Sequence, residues 1–228
     1  MGDVLMNLFD IIGPVMIGPS SSHTAGAARI GRVTYMLLGE EVKKAEIYFH
    51  GSFAKTWEGH GADRAVIGGL LGLSVADEHM RLSRELAAEK GMEYTISPIQ
   101  LRDAHPNTVI IRAYGVSGKE VKVQAASVGG GSIFVQYLND MEVGFSGERT
   151  TLIIQHRDTP GAIAQVSQML AWARMNIATM RVFRRSAGGE AMMVIEIDGD
   201  ADQTLIDCLS AMPGIYHVAY VAARSKGV

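Results

Sequence analysis

Residues 18–26 read G-P-S-S-S-H-T-A-G, and the organisation of the chain is read outward from them. A Gly-Pro turn precedes the hydroxyl run, and a helical pattern over residues 24–38 follows it. Ser20, Ser21, Ser22, His23 and Thr24 therefore stand at a helix start, with hydroxyls, an imidazole and unpaired N–H groups within one turn. Those N–H groups point outward and the helix dipole favours negative charge, so a small carboxylate suits the place. The same residues suit a plain cap, with Ser22 or Thr24 accepting from the helix's own amides. The chemistry of the stretch leaves both readings open.

The segment around this stretch reads as a mixed arrangement. Helical patterns cover residues 4–12, 24–38, 62–71 and 77–90; strand patterns cover 45–50, 93–101, 108–114 and 120–127. Such a set predicts a sheet covered by helices. Gly144-Phe145-Ser146-Gly147 is punctuation, and a regular pattern follows it. Residues 150–155 read as a strand. Asp158-Thr159-Pro160-Gly161 then starts a helix, with Pro160 near its first position. Ile163, Val166, Leu170 and Ala173 lie at helical spacing and predict one buried face. Two strands over 178–185 and 191–198 flank a Ser-Ala-Gly-Gly-Glu hairpin signal. A helix over 201–210 and a strand over 215–222 complete the order βαββαβ, which is ferredoxin-like. The fold class is thus α+β, with a mixed α/β domain over residues 1–145 and a ferredoxin-like domain over 149–224. That topology alone assigns no function.

Composition narrows the function classes. Hydrophobic residues make up 47% and charged residues 20% of 228, ordinary globular values. A net charge of -3 supplies no electrostatic footprint for nucleic acid. No apolar run reaches the ~18 residues that span a bilayer, and no basic segment with a signal-type apolar core opens the chain. The single Cys208 rules out a disulfide within the chain, which fits a cytoplasmic protein. On an amphipathic helix, Cys208 is expected to be a small core residue.

Three further groups carry candidate chemistry. His60 stands between Gly59 and Gly61 at the start of a helix, where an imidazole serves either as a general base or as an ordinary loop residue. His105 and Asn107 flank Pro106 in a turn between two strands, able to project together or merely to turn the chain. Gly129 and Gly130, within S-V-G-G-G, form either an amide nest for an anion or a hinge. His50, His79 and His217 lack supporting context, whereas His156 reads as structural or as a neighbour of a ligand site. Ser22 and His23 are sequence neighbours and seldom face each other, and no G-x-S-x-G elbow is present. Paired cysteines and H-x-x-x-H spacing are absent, so no zinc motif exists and no metal ligand is assigned.

The wording of these motifs is more specific than their chemistry. G-P-S-S-S-H-T with A-G-A-A-R-I-G, then G-H-G-A-D (59–63), H-P-N-T (105–108) and S-V-G-G-G (127–131) resemble the iron–sulfur L-serine dehydratases, over roughly residues 3–140. The D-x-P-G turn and Asn176-Ile177 after the following helix resemble ACT domains, which bind amino acids or pair into regulatory dimers. The order of the two, without a cysteine-bearing catalytic domain, resembles the beta chain of the two-chain form.

The resemblance implies an L-serine ammonia-lyase that makes pyruvate and ammonia in serine catabolism. It also implies a [4Fe–4S] cluster; a cluster usually needs about three or four thiolates, so it would be held by an alpha chain. His60, His105 and Asn107 would be catalytic, and Ser20, Ser21, Ser22, His23, Thr24, Gly129 and Gly130 would bind substrate. Asp158, Pro160, Gly161, Asn176 and Ile177 would form an ACT ligand site or dimer interface. Gly61 and Ala62 depart from relatives that carry bulkier or hydroxyl residues there. The rival from another class is a non-catalytic serine sensor, since the first domain also resembles the allosteric substrate-binding domain of some phosphoglycerate dehydrogenases. A pyridoxal-phosphate enzyme is a weaker third reading.

Overall fold

The computed structural model describes residues 21–184 and 186–223, and of residues 21–23 the backbone only. The expected helix over residues 4–12 lies outside the described residues, as does Ser20. The chain forms two compact units, one up to Phe134 and one from Val135.

The first unit runs α1 (Ser21–Leu38), β1 (Val42–His50), α2 (Gly51–Thr56), α3 (Ala62–Leu70), a 3-10 turn (Glu78–Leu82), α4 (Ser83–Glu89), β2 (Glu93–Ile99), β3 (Thr108–Gly115) and β4 (Glu120–Gly129). β1 pairs parallel with β2 and antiparallel with β3, which pairs antiparallel with β4. A parallel pair needs a long crossover, and α2, α3 and α4 supply it between β1 and β2. β3 lies between two strands and buries Val109, Ile110 and Ile111 in succession, and Ala113 beyond the half-buried Arg112. The apolar run of this strand fits a position covered on both faces.

The helices approach unusually closely. A Cβ on Gly31 of α1 would collide with Val66 O and come within 3.1 Å of Gly69 Cα. A Cβ on Gly69 of α3 would meet Ala28 O and lie 2.6 Å from Arg32 N. The two backbones touch at this crossing, and α3 is buried at Ala65, Val66, Ile67, Gly68, Gly69 and Leu70.

Several local features differ from the pattern expected of the sequence. The helix expected over residues 77–90 is a 3-10 turn followed by α4. Asp77 caps the turn through the His79 N–H at 2.9 Å, and Ser83 donates to Arg64 O at 2.8 Å where α4 begins. α2 is a further element, too short for a periodic signal. β5 (Ser132–Leu138) and β6 (Met141–Phe145) are strands where the sequence offered only an apolar stretch before the Gly-Phe-Ser-Gly punctuation. β5 begins in the first unit and ends in the second. Asn139 and Asp140 join the two strands with φ of 49° and 63°, the positive values that a type I′ hairpin turn needs.

The second unit contains the end of β5 with β6, then β7 (Thr150–Arg157), α5 (Ala162–Trp172), β8 (Ile177–Arg184), β9 (Glu190–Ile197), α6 (Gln203–Ser210) and β10 (Ile215–Val221). Its antiparallel sheet has the order β10-β7-β9-β8. The expected βαββαβ fold is present. Leu152, Ile154, Met193 and Ile195 meet Val166 and Leu170 of α5 and Leu205 and Leu209 of α6 in its core. Two expectations fail on α5: Ile163 is 47% exposed and Ala173 lies at the exposed end. The buried stripe is instead centred on Val166 and Leu170, flanked by Ala162 and Met169. Pro160 precedes the helix, because Gly161 in the left-handed region at φ 90° forms the cap. Cys208 is exposed rather than in the core, because α6 turns Leu205 and Leu209 inward and leaves Cys208 off that face.

The glycine crossing sets a prediction. Gly31→Ala must force the touching backbones apart and should cost about 1–3 kcal/mol, as overpacking does. Gly59→Ala, whose Cβ would meet nothing closer than Thr56 O at 3.9 Å, should leave stability unchanged within about 0.5 kcal/mol. Urea unfolding of both variants measures the difference.

Candidate functional site

In the first unit, the four motifs come together at one end of the sheet. Thr24, in the first turn of α1, donates its hydroxyl to His60 O at 3.2 Å. Two residues on, Gly26 lies against Ser127, whose side chain fills the space a Cβ would need. Ser127 is fully buried, and its N–H donates to Asn107 O at 3.0 Å. Arg29, the next turn of α1, donates to Gly131 O at 3.0 Å. The hydroxyl-rich helix start thus touches the His60 turn on one side and the end of β4 on the other.

His60 is half-buried, and both of its peptide groups are held. Its N–H donates to Thr56 O at 2.9 Å, and its carbonyl accepts from Thr24. Gly61 follows at φ 68° and caps α3 in the left-handed region, with nothing within 4 Å of where a Cβ would stand. That open conformation lets the chain reverse directly after His60. Asp63, also within the G-H-G-A-D motif, is buried and pairs with Arg84 of α4, while its Oδ1 has no hydrogen-bond partner among the described residues. The pair ties the first turn of α3 to α4.

His105 is exposed, and its Nδ1 accepts the Asn107 N–H at 3.1 Å. In the neutral ring this leaves the proton on Nε2. Asn107 Oδ1 in turn accepts the Ser52 hydroxyl, and Pro106 O accepts the Ser52 N–H at 2.8 Å. Gly129 and Gly130 lie where β4 turns toward β5, at φ 110° and 56° with Gly131 at 79°. Of the other expected substrate residues, Ser21, Ser22 and His23 form the first turn of α1, and their side chains lie outside the described residues.

Two residues of this end were not singled out in the sequence, Ser52 and Asp63. The Gly-Ser step at the end of a strand was the available signal for Ser52. The acidic residue at the second position of a helix was the signal for Asp63. His50 is a structural tie, its Nδ1 accepting the Leu101 N–H at 3.2 Å.

In the second unit, a shallow pocket is lined by Asp158, Thr159, Pro160, Gly161, Ile163, Arg184 and Gly188. Asp158 accepts from Gly188 N at 3.1 Å and from Arg184 Nη1 at 3.2 Å, so the D-x-P-G turn is clasped to the β8–β9 hairpin. His156 is buried beside this turn; its Nδ1 donates to Arg157 O at 2.8 Å, and its Nε2 has no hydrogen-bond partner among the described residues. Asn176 and Ile177 stand at the other end of β8 from Arg184. There the Asn176 amide donates to Asp198 at 2.7 Å. Within one chain these two residues are therefore a strand length away from Asp158.

Among the described residues no helix is long and apolar enough to cross a membrane, and no group of three or more His, Cys, Asp or Glu is arranged to hold a metal ion.

Comparison with known proteins bears on both units. The family model described as serine dehydratase beta chain matches residues 6–137, and that described as ACT domain matches residues 150–214. The chain is 43% identical to the probable L-serine dehydratase beta chain of Bacillus subtilis, over 95% of this chain and 98% of that one. It is 34% identical to the L-serine dehydratase beta chain of Peptoniphilus asaccharolyticus, over 93% and 96% respectively. D-3-phosphoglycerate dehydrogenase of Bacillus subtilis is 25% identical over 86% of this chain but only 37% of its own length.

The Asp158 clasp carries a pH prediction. The Gly188 N–H, then the Arg184 guanidinium, hold this carboxyl below the ordinary carboxylate range. A carboxyl lowered on folding contributes above its unfolded value, and the contribution is lost as pH falls through the folded value. The Gly188 amide resonance should therefore titrate with a midpoint below that of a free aspartate, and Asp158→Asn should abolish the transition. A midpoint at or above the free value contradicts the clasp.

Proposed function

The chain belongs to the serine dehydratase beta-chain family with an ACT domain behind it, and from that premise we propose that it is the beta subunit of a cytoplasmic L-serine ammonia-lyase acting with an alpha chain. The reaction removes the Cα proton and the β-hydroxyl of serine as water. The resulting aminoacrylate becomes an imine, which takes up water to give pyruvate and ammonia. The observation that carries the reading is the convergence of Thr24, His60, Asn107 and Ser127, drawn from four separate motifs, at one end of the first unit.

The [4Fe–4S] cluster implied by the family does not fit this chain's own donors. Cys208 is the single cysteine, exposed on α6 in the other unit. In this reading the alpha chain holds the cluster, and the present chain supplies binding and proton-handling groups. The bond from Asn107 N–H to His105 Nδ1 supports a division of labour. His105 offers an Nε2–H donor, suited to the substrate's carboxylate or hydroxyl. His60, with its backbone fixed on both sides, is the better candidate for the base. The start of α1 would receive the carboxylate. The ACT domain would bind an amino acid or a twin domain and tune the first unit.

The likeness to D-3-phosphoglycerate dehydrogenase favours a second reading, a serine-responsive regulatory chain without catalysis of its own. One experiment separates the two: anaerobic co-expression with the alpha chain, followed by pyruvate formation from L-serine. General acid–base groups contribute about 10²–10⁴-fold. His60→Ala should lower kcat by about that factor in an assembled complex, with His105→Ala acting more on KM. Near wild-type turnover in the assembled His60→Ala complex would refute the assignment of the base. Absence of pyruvate from the assembled, iron-loaded wild type would favour the regulatory reading.

A further inference from the structure

We infer that the short helix α2 is the strut that holds the His105–Asn107 loop and the His60 turn in one register, with Ser52 and Thr56 as its positioning residues; the catalytic side of this inference rests on the function proposed above. The strut is a continuous run of hydrogen bonds. At its start, Ser52 N–H donates to Pro106 O at 2.8 Å and Ser52 Oγ donates to Asn107 Oδ1. Gly51, at φ 61°, brings the backbones together, since a Cβ there would lie 2.9 Å from Pro106 Cα. One turn later, Thr56 Oγ1 donates to Ser52 O at 2.8 Å. Thr56 O then accepts the His60 N–H at 2.9 Å, and His60 O accepts from Thr24 at 3.2 Å.

Packing fixes the roll of this helix. Phe53 is fully buried and meets Phe49 edge-on, with ring centroids 5.5 Å apart. Trp57, just beyond α2, stacks on Phe49 at 6.0 Å and 27°. A helix keyed by aromatic rings on its inner side cannot turn without unseating them, so a shift at one end reaches the other.

The chemistry at each end is specific. Ser52 occupies Asn107 Oδ1, which assigns the amide's orientation and leaves Nδ2 as the donor available to a substrate carboxylate. The Thr56 carbonyl sets the height of the His60 N–H, and the Thr56 hydroxyl, bound to Ser52 O, holds that carbonyl's turn in place. Neither residue need touch substrate. Each acts through the residue it holds.

The test uses the complex with the alpha chain and the variants Ser52→Ala, Thr56→Val, the double variant, and Thr56→Ser, which keeps the hydroxyl. A hydrogen bond of this kind is worth a few-fold to about 10-fold. Ser52→Ala should raise KM for serine about 3- to 10-fold and also lower kcat, since the strut carries the shift to His60. Thr56→Val should lower kcat by a similar factor and shift its pH profile, and Thr56→Ser should restore both. The double variant should lose less than the product of the two single losses, because either cut breaks the same strut. Losses that simply multiply, or single variants indistinguishable from wild type, would overturn the inference. A second readout needs no activity. In the isotope-labelled full chain, Ser52→Ala should move the His60 amide resonance and Thr56→Val the Asn107 side-chain amide, with the rest of the spectrum retained. Silence at both positions overturns the strut. An inactive complex whose resonances still move together would instead overturn the proposed function and leave the strut standing.

Discussion

Backbone contact between α1 and α3 at Gly31 and Gly69 is the constraint on which the first unit depends. Side chains normally hold helices about 8–10 Å apart. Here a Cβ at either glycine would run into the other helix's backbone. The close crossing brings the start of α1 down to the start of α3, so Thr24 reaches His60. It also lays the next turn of α1 on the end of β4, where Gly26 admits the Ser127 side chain. Wider spacing would leave the hydroxyl-rich turn and the His60 turn as unrelated loops.

The sheet completes the arrangement from the other side. β1 ends at His50 and runs straight into α2, while β3 begins just after His105–Asn107. Since β1 and β3 pair antiparallel, with Phe49 opposite Val109, the end of one strand and the start of the other are neighbours. Ser52 therefore meets Asn107 as a consequence of strand register. The buried Asp63 carboxylate, paired with the exposed Arg84, then anchors the first turn of α3, and removing Arg84 would leave a buried charge without its partner, the costly way to lose such a pair. The ACT unit obeys a separate logic. Its core is closed by α5 and α6 on one sheet face, and its turn at Asp158 is clasped by its own hairpin.

Much of this was legible in the sequence, for physical reasons that differ from place to place. The second unit was readable because its strands and helices are short and periodic, and because Gly and Pro punctuate them. Its details slipped where a cap decided the boundary: Gly161 starts α5 beyond Pro160, and Asp202 starts α6 by accepting the Leu205 N–H at 2.8 Å. Cys208 lies off the core because a single residue step rotates the helix by about 100°, and the stripe through Leu205 and Leu209 leaves it outside. The hairpin of β5 and β6 escaped because its turn uses Asn139-Asp140, without the glycine that usually marks such turns. The motifs at His60 and His105 could be found individually, but their adjacency depends on a glycine crossing and on strand register. No local pattern records either. Ser52 is the clearest case, since it gains its role only when the sheet brings Asn107 beside it.

The central claim is that separate motifs of the first unit form one seat for an amino acid, with His60 and Asn107 facing the same molecule. A crystal structure of the assembled complex of this chain with its alpha partner, soaked anaerobically with L-serine, tests it most directly. The account predicts serine at the end of the first unit, its carboxylate within hydrogen-bonding distance of Asn107 Nδ2 or the start of α1, and its Cα–H directed at the His60 imidazole. Serine bound only at the Asp158–Arg184 turn of the ACT unit, with the first unit empty, would contradict it.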